Sequence, residues 1–401
     1  MIEKSTARFL LAGLAWSSLG ATAPAQELFS QVIDETLQGG SAVVSADFDL
    51  DGRMDLAGAG YYAGSIRWWR NLGHNQWELN EVFQLDGAFS LKAADLDGDG
   101  DTDLYGTSIH VTEFGEDTVW WFENQLPAGT GGAPSFVPHF LYANPNQDPR
   151  SIHAADFDGD GHLDLAVAYV YDSAIHLFFN VDGTGPAGSP QFVHSSGVNG
   201  VSFVVGDDFD QDGDVDLIAG TAWDWVGTNN FYWFPNDGTG QFGRRIPIAG
   251  GPEFSGSFTA VVSDVDGDGD RDLVTSGYGE YGYPILRWIP RNNPQGTSFG
   301  RARVIDDQFS GTNGDQSLVA YDLDGDGDDD LVGGSSFLDP RLGAWINNGE
   351  GRFTSIDIEL GFNAHGVTVA DLDGDGTPEI AAASWGACCY TGELRLWDWA
   401  Y

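Results

Sequence analysis

Asp322-Leu323-Asp324-Gly325-Asp326-Gly327-Asp328-Asp329-Asp330, running on into Leu331-Val332-Gly333, decides how this chain folds. Carboxylates stand at positions one, three, five and nine, spaced by glycine and one apolar residue. Alternate side chains of such a loop turn inward together, and a donor set made only of oxygen suits a hard cation, Ca²⁺ above all. The same nine-residue pattern begins at Asp47, Asp95, Asp156, Asp208, Asp264, Asp322 and Asp371. Each copy leads into a short apolar run such as Asp55-Leu56-Ala57-Gly58. A unit this small cannot bury its own apolar face, so the copies must lean on one another.

Working outward from Asp322, Leu318-Val319-Ala320-Tyr321 reads as a strand entering the loop and Leu331-Val332-Gly333-Gly334 as one leaving it. Ala344-Trp345-Ile346 forms a third strand, Asn347-Asn348-Gly349 a turn, and Arg352 to Ile358 a fourth. Asn-Gly and Asp-Gly turns signal hairpins, and this one recurs at Asn236-Asp237-Gly238 and Val181-Asp182-Gly183. Four short strands in units of roughly 50–60 residues predict an all-β fold, a seven-bladed β-propeller of four-stranded antiparallel blades. The third strand is aromatic in most units: Trp68-Trp69, Trp120-Trp121-Phe122, Phe178-Phe179, Tyr232-Trp233-Phe234, Trp288, Trp345 and Trp397. Rings at that repeating position fill the space between blades. The seventh unit stops at a third strand, Leu394 to Trp399, while Leu28 to Asp34 resembles an orphan fourth. Pairing of these N- and C-terminal strands would close the ring and remove its exposed edges.

Among 401 residues, 41% are hydrophobic, and 61 Asp and Glu face 17 Lys and Arg for a net charge of -44. Much of this acidity is ligand supply in the loops; the remainder argues against nucleic acid or an anionic membrane as partner. At the N-terminus, Lys4 and Arg8 precede the apolar run Phe9 to Trp16, and Ala23-Pro24-Ala25 offers small residues for cleavage. This pattern reads as a secretory signal over residues 1–25, leaving 26–401 as the propeller, and the run is too short to span a membrane. The expected location is extracellular or periplasmic. Cys388 and Cys389 are adjacent, which allows either a strained vicinal disulfide or two thiols; the Cys-x-x-Cys spacing of a redox site is absent.

An EF-hand would need a bidentate Glu at position twelve and flanking helices. That position holds Gly58, Gly106, Val167, Ala219, Thr275, Gly333 or Ala382. A tandem nonapeptide β-helix would need loops that adjoin directly. The units instead resemble the FG-GAP/VCBS repeats of the integrin α-subunit propeller and of secreted bacterial propellers, across about residues 27–401. The Phe-Gly element before the loop is absent, and the Gly-Ala-Pro element after it is reduced to Gly58-Ala59-Gly60, Gly106-Thr107 or Gly333-Gly334. The resemblance implies calcium in up to seven loops, held by the side chains at positions one, three, five and nine and the carbonyl at seven. It does not imply integrin-like adhesion. The ligand sets are Asp47, Asp49, Asp51 and Asp55; Asp95, Asp97, Asp99 and Asp103; and Asp156, Asp158, Asp160 and Asp164. Next come Asp208, Asp210, Asp212 and Asp216, then Asp264, Asp266, Asp268 and Asp272. The last two are Asp322, Asp324, Asp326 and Asp330, and Asp371, Asp373, Asp375 and Glu379.

Strand order sets the acidic loops and the Asn-Gly turns on one face of the ring. The opposite face gathers Tyr61, Tyr62, Tyr171, Trp223, Trp225, Tyr278, Tyr281 and Trp385, with Asp172, Asp224, Glu280 and Asp339 among them. Rings beside carboxylates suit stacking on sugars or a protein hot spot; the alternative is that the rings merely pack the loops. The expected function is a non-catalytic binding module for an extracellular glycan or protein. A second class is a secreted polysaccharide lyase or hydrolase, as some propellers with similar repeats are. No catalytic residue is assigned: the histidines are scattered, without a Ser-His-Asp order or a His-Glu-x-x-His motif.

Overall fold

Seven separate four-stranded antiparallel sheets make up the computed structural model. It describes residues 28–110, 116–126, 134–172, 174–194, 200–221, 231–250, 254, 256–278, 284–293, 296–309, 317–335, 340–386 and 391–399. The leader, Trp223, Trp225, Tyr281, Cys388 and Cys389 lie outside the described residues. Blades 1 to 6 span residues 40–84, 88–143, 149–194, 201–249, 256–306 and 318–360, each with its strands in chain order. Blade 7 takes three strands from residues 364–398 and its outermost from Ser30–Asp34. Ser30 pairs with Trp397, Gln31 with Leu396 and Val32 with Arg395, so the two chain ends complete one sheet as expected. Among the described residues, no helix is long and apolar enough to cross a membrane.

First strands line a central channel of about 510 Å³. Apolar clusters fill the wedges between neighbouring blades. Trp68 of blade 1 packs with Leu91, Leu104 and Phe122 of blade 2, and Trp69 with Ala381, Leu394 and Leu396 of blade 7. A buried ring of this kind removes roughly 150–250 Å² from water, which stabilises by about 4–6 kcal/mol before ordering costs. The second residue of each acidic loop adds to the wedge: Phe48, Leu96, Phe157, Phe209, Val265, Leu323 and Leu372 are all buried.

Polar latches cross three successive junctions near the closure. Arg67 Nη1 of blade 1 donates to Asp34 Oδ2 of blade 7 at 2.9 Å, and Trp69 Nε1 to the same oxygen at 3.3 Å. Arg341 and Trp345 of blade 6 bind Asp306 of blade 5 at 2.6 and 3.1 Å. Arg395 and Trp397 of blade 7 bind Glu359 of blade 6 at 2.6 and 3.0 Å. Charge-assisted bonds whose partners sit on separate blades tie rigid sheets together rather than stiffening one.

Candidate functional site

Each acidic loop is built the same way. The position-one carboxylate accepts the amide of position six, from Gly52 N to Asp47 at 2.9 Å through Gly376 N to Asp371 at 3.1 Å. The glycine there has φ between 88° and 103° in all seven loops, a left-handed conformation that a side chain resists. In several loops the amide of position five bonds the carboxylate of position three, and that of position seven the carboxylate of position five, as in Asp99 N to Asp97 and Asp101 N to Asp99. Oxygens of Asp47, Asp49 and Asp55 lie within 4.8 Å of one another, as do those of Asp95, Asp97 and Asp99 and of Asp156, Asp158 and Asp164. Asp208, Asp210 and Asp212 converge likewise, as do Asp264, Asp266 and Asp272. The first loop also receives two guanidiniums, Arg53 on Asp51 and Arg70 on Asp49.

Position four carries the second left-handed residue. It is Gly98, Gly159, Gly267, Gly325 and Gly374 in five loops, but Leu50 (φ 54°) and Gln211 (φ 58°) in the others. Leu50 is 56% exposed, so its side chain offsets little of that strain. Leu50→Gly is therefore expected to raise stability by up to about 1 kcal/mol, the left-handed cost less the extra freedom of an unfolded glycine. A lower denaturation midpoint for this variant would show that the loop is not strained there.

Position nine does two jobs. One oxygen accepts the position-two amide, as from Leu96 to Asp103 at 2.8 Å and Leu323 to Asp330 at 2.9 Å. The other accepts the amide of an asparagine at or two residues past the end of the third strand: Asn71 to Asp55 at 2.7 Å, Asn124 to Asp103 at 2.7 Å and Asn180 to Asp164 at 2.8 Å. The Asn side chain then reaches into the preceding blade. Asn124 Nδ2 donates to Phe48 O at 2.9 Å, Asn180 to Leu96 O at 2.7 Å, Asn236 to Phe157 O at 2.7 Å and Asn347 to Val265 O at 2.9 Å. In blade 5 Arg291 takes the role and reaches Phe209 O. In sequence, Asn236 and Asn347 read as turn formers and Asn71, Asn124 and Asn180 carry no assignment, although their fixed offset behind the aromatic third strand is a signal. Buried this way, the position-nine carboxyls are pushed up, first by desolvation and only partly countered by the backbone bonds: Asp55 to about 7, Asp103 to about 8 and Glu379 to about 7.

On the opposite face, four of the eight expected ligand-contacting rings converge. Tyr61, Tyr62, Tyr171 and Trp385 line a groove of about 340 Å³ with Phe89, His110, Asp117, Asn146, Asp148 and Arg150. They arrive from second-to-third-strand connections of blades 1, 3 and 7. Tyr61 and Trp385 lie 5.1 Å apart at 33°, Tyr62 meets Trp385 edge-on at 5.2 Å, and Trp385 stacks on His365 at 4.6 Å. Gly39, at φ 64°, lets Tyr62 close down on it: an added Cβ would sit 2.6 Å from the ring. Tyr62 is 36% and Tyr171 66% exposed, so ring faces remain open to solvent. Buried Asp117 fixes the wall by accepting the amides of His110, Gln147 and Asp148 at 2.8, 2.8 and 2.9 Å. Asp148 grips Arg150 through Nε at 2.9 Å and a second nitrogen at 2.7 Å. His110 Nδ1 is buried with no hydrogen-bond partner among the described residues. Burial pushes the Tyr61 phenol up to about 12, which keeps it a neutral donor. Tyr278 does not join this groove; its ring packs edge-on against Phe258 at 4.9 Å in blade 5.

Loops, blades and closure together define an FG-GAP-type propeller. The FG-GAP-like repeat profile matches residues 47–106, 208–275 and 322–382, and the FG-GAP repeat profile residues 149–178. The chain belongs to the FG-GAP repeat proteins. Among solved structures, it is similar to an Agrocybe aegerita lectin that recognises non-reducing terminal N-acetylglucosamine, with a TM-score of 0.51 and 17% identity over 94% of this chain and 87% of that one. It is also similar to BBS1N in complex with ARL6DN, with a TM-score of 0.56 and 9% identity over 93% of this chain and 97% of that one. At these identities the likeness is one of fold. No curated protein matched the sequence.

Proposed function

We propose that this chain is an exported, calcium-stabilised propeller that binds carbohydrate in the groove of Tyr61, Tyr62, Tyr171 and Trp385. The observation that carries the reading is the convergence of the exposed Tyr62 and Tyr171 rings with Trp385, Arg150, Asn146 and an unsatisfied His110 nitrogen in one small groove. A pyranose offers an apolar face to a ring and hydroxyls to polar neighbours, and this mixture suits it better than a broad protein interface does. Arg150 is already neutralised by Asp148, so a neutral sugar fits without a buried unpaired charge.

Calcium is the cation the loops suit. Oxygens of Asp95 (Oδ1), Asp266 (Oδ1) and Glu379 (Oε1) are buried without a hydrogen-bond donor among the described residues. A carboxylate oxygen left so is satisfied by a cation. Asp47, Asp49, Asp51, Asp55 and their counterparts in the other six loops would hold it, with the carbonyl of position seven. When bound, the ion neutralises carboxylates that otherwise repel, and so pins the turn between first and second strands. Affinities of about 10⁻⁴ to 10⁻³ M, usual for extracellular modules, match the environment to which residues 1–25 would deliver the chain.

A glycan array probed in calcium tests the carbohydrate reading. On the glycans retained, Tyr62→Ala and Trp385→Ala should each lower affinity at least tenfold, and Tyr278→Ala should not. Tyr62→Ala should leave the melting temperature within a few degrees of the parent. An array without any retained glycan, or a Tyr62→Ala protein that binds as the parent does, would refute the assignment.

A further inference from the structure

A second cleft lies on the outer wall, between the last strand of blade 3 and the turn that opens the last strand of blade 4. It measures about 530 Å³, within the range of small-ligand clefts. Its chemistry differs from that of the aromatic groove. Arg244 and Arg245 stand side by side in a protein of net charge -44. Arg244 is exposed and makes no ion pair among the described residues, although the chain has 61 acidic residues to offer it. Arg245 is held over the Tyr232 ring at 4.8 Å. Phe192, 44% exposed, lines the cleft beside them and meets His176 edge-on at 4.5 Å. Two carboxamides complete the lining. Gln191 is steadied by Gly240 O at 3.3 Å and Gln241 by Thr239 Oγ1 at 3.3 Å. The turn's own acid, Asp237, is tied to Thr239 at 2.6 and 3.0 Å.

We propose that this cleft binds an acidic saccharide, a chain bearing uronate carboxylates or sulfate esters, with Arg244 as the charge partner. Guanidinium pairs match planar oxyanions, carboxamides match hydroxyls, and an exposed ring edge or face packs on a sugar. The acidic loops of blades 3 and 4 come close to this turn, Asp158 against Gly240 and Asp214 against Gly238. Binding is therefore expected only with those loops neutralised by calcium; charges beyond about 8 Å are screened at physiological ionic strength. An acidic peptide would use the arginines but has less call on two amides and a ring. This site is independent of the aromatic groove and of its neutral ligand.

The test is calorimetry of the full chain in calcium with trigalacturonate, a sulfated heparin tetrasaccharide and a neutral dextran oligomer. Binding of either acidic saccharide is expected, weakening as salt rises, with the dextran excluded from this cleft. Arg244→Glu should cut that affinity at least tenfold and Phe192→Ala severalfold, while Tyr62→Ala changes neither. Both substituted residues are exposed, so melting temperatures should stay close to the parent's and report folding separately. The proposal fails if neither acidic saccharide binds, if Arg244→Glu binds as the parent does, or if Tyr62→Ala removes the binding instead. Tighter binding of a Glu-rich peptide than of both acidic saccharides would also overturn it.

Discussion

In excess chelator the protein will melt at a far lower temperature than in millimolar calcium, and restoring calcium will reverse the loss. At ten times its dissociation constant, an ion that binds only the folded state adds about 1.4 kcal/mol per site, so seven filled loops together amount to about 10 kcal/mol. That is comparable with the whole stability of an ordinary domain. The effect carries a pH signature. In the cation-free protein, burial raises the position-nine carboxyls from 3.8 to about 7 at Asp55 and Asp216, about 8 at Asp103 and about 6 at Asp164. A group raised on folding stabilises fully below its unfolded value and loses that contribution as pH climbs through the folded one. Chelated protein should therefore weaken between about pH 4 and pH 8. Calcium takes the place of those protons, so the gap in melting temperature between calcium and chelator should widen from pH 5 to pH 8. A gap that is absent, or that narrows over this range, would contradict the account.

Asp34→Ala should cost about 3–5 kcal/mol, the usual penalty for stranding one partner of a buried ion pair. Asp34 is 7% exposed and takes bonds from Arg67, Trp69 and both donors of Thr36. It sits where the N-terminal strand of blade 7 meets blade 1, so its loss frees the strand that closes the ring. Deleting residues 26–36 should do more, leaving Leu394–Asp398 as an unpaired edge of blade 7. Equilibrium denaturation measures both. A change under about 0.5 kcal/mol for Asp34→Ala would mean that closure does not depend on this latch. As a control, exposed Glu350→Ala should be near neutral.

The blades, their strand order and the closure were legible because each follows from local pattern repeated seven times. Asp, Gly and an apolar residue at fixed offsets encode a loop wherever they occur, and Leu394 to Trp399 visibly lacked a fourth strand. What crosses from blade to blade was not legible. Asn124 follows the aromatic run Trp120-Trp121-Phe122, and nothing near it says that its side-chain amide will reach Phe48 O, 76 residues away. Arg67 and Asp34 stand 33 residues apart and meet only once the wedge angle is set. The aromatic groove was partly legible. Strand order told which face Tyr61, Tyr62, Tyr171 and Trp385 share, but not where on the ring each stands, so Tyr278 was grouped with them although it lies on blade 5. Burial also changes within two residues: Tyr169 ends a strand and is wholly buried, whereas Tyr171 is exposed.

The most direct measurement is a count of calcium per chain, by elemental analysis after dialysis against millimolar calcium. The loop geometry predicts several ions and a ceiling of seven, removed by chelator and not replaced by magnesium alone. A chain that folds to the same melting temperature while carrying none would contradict the claim that these acidic turns are cation sites.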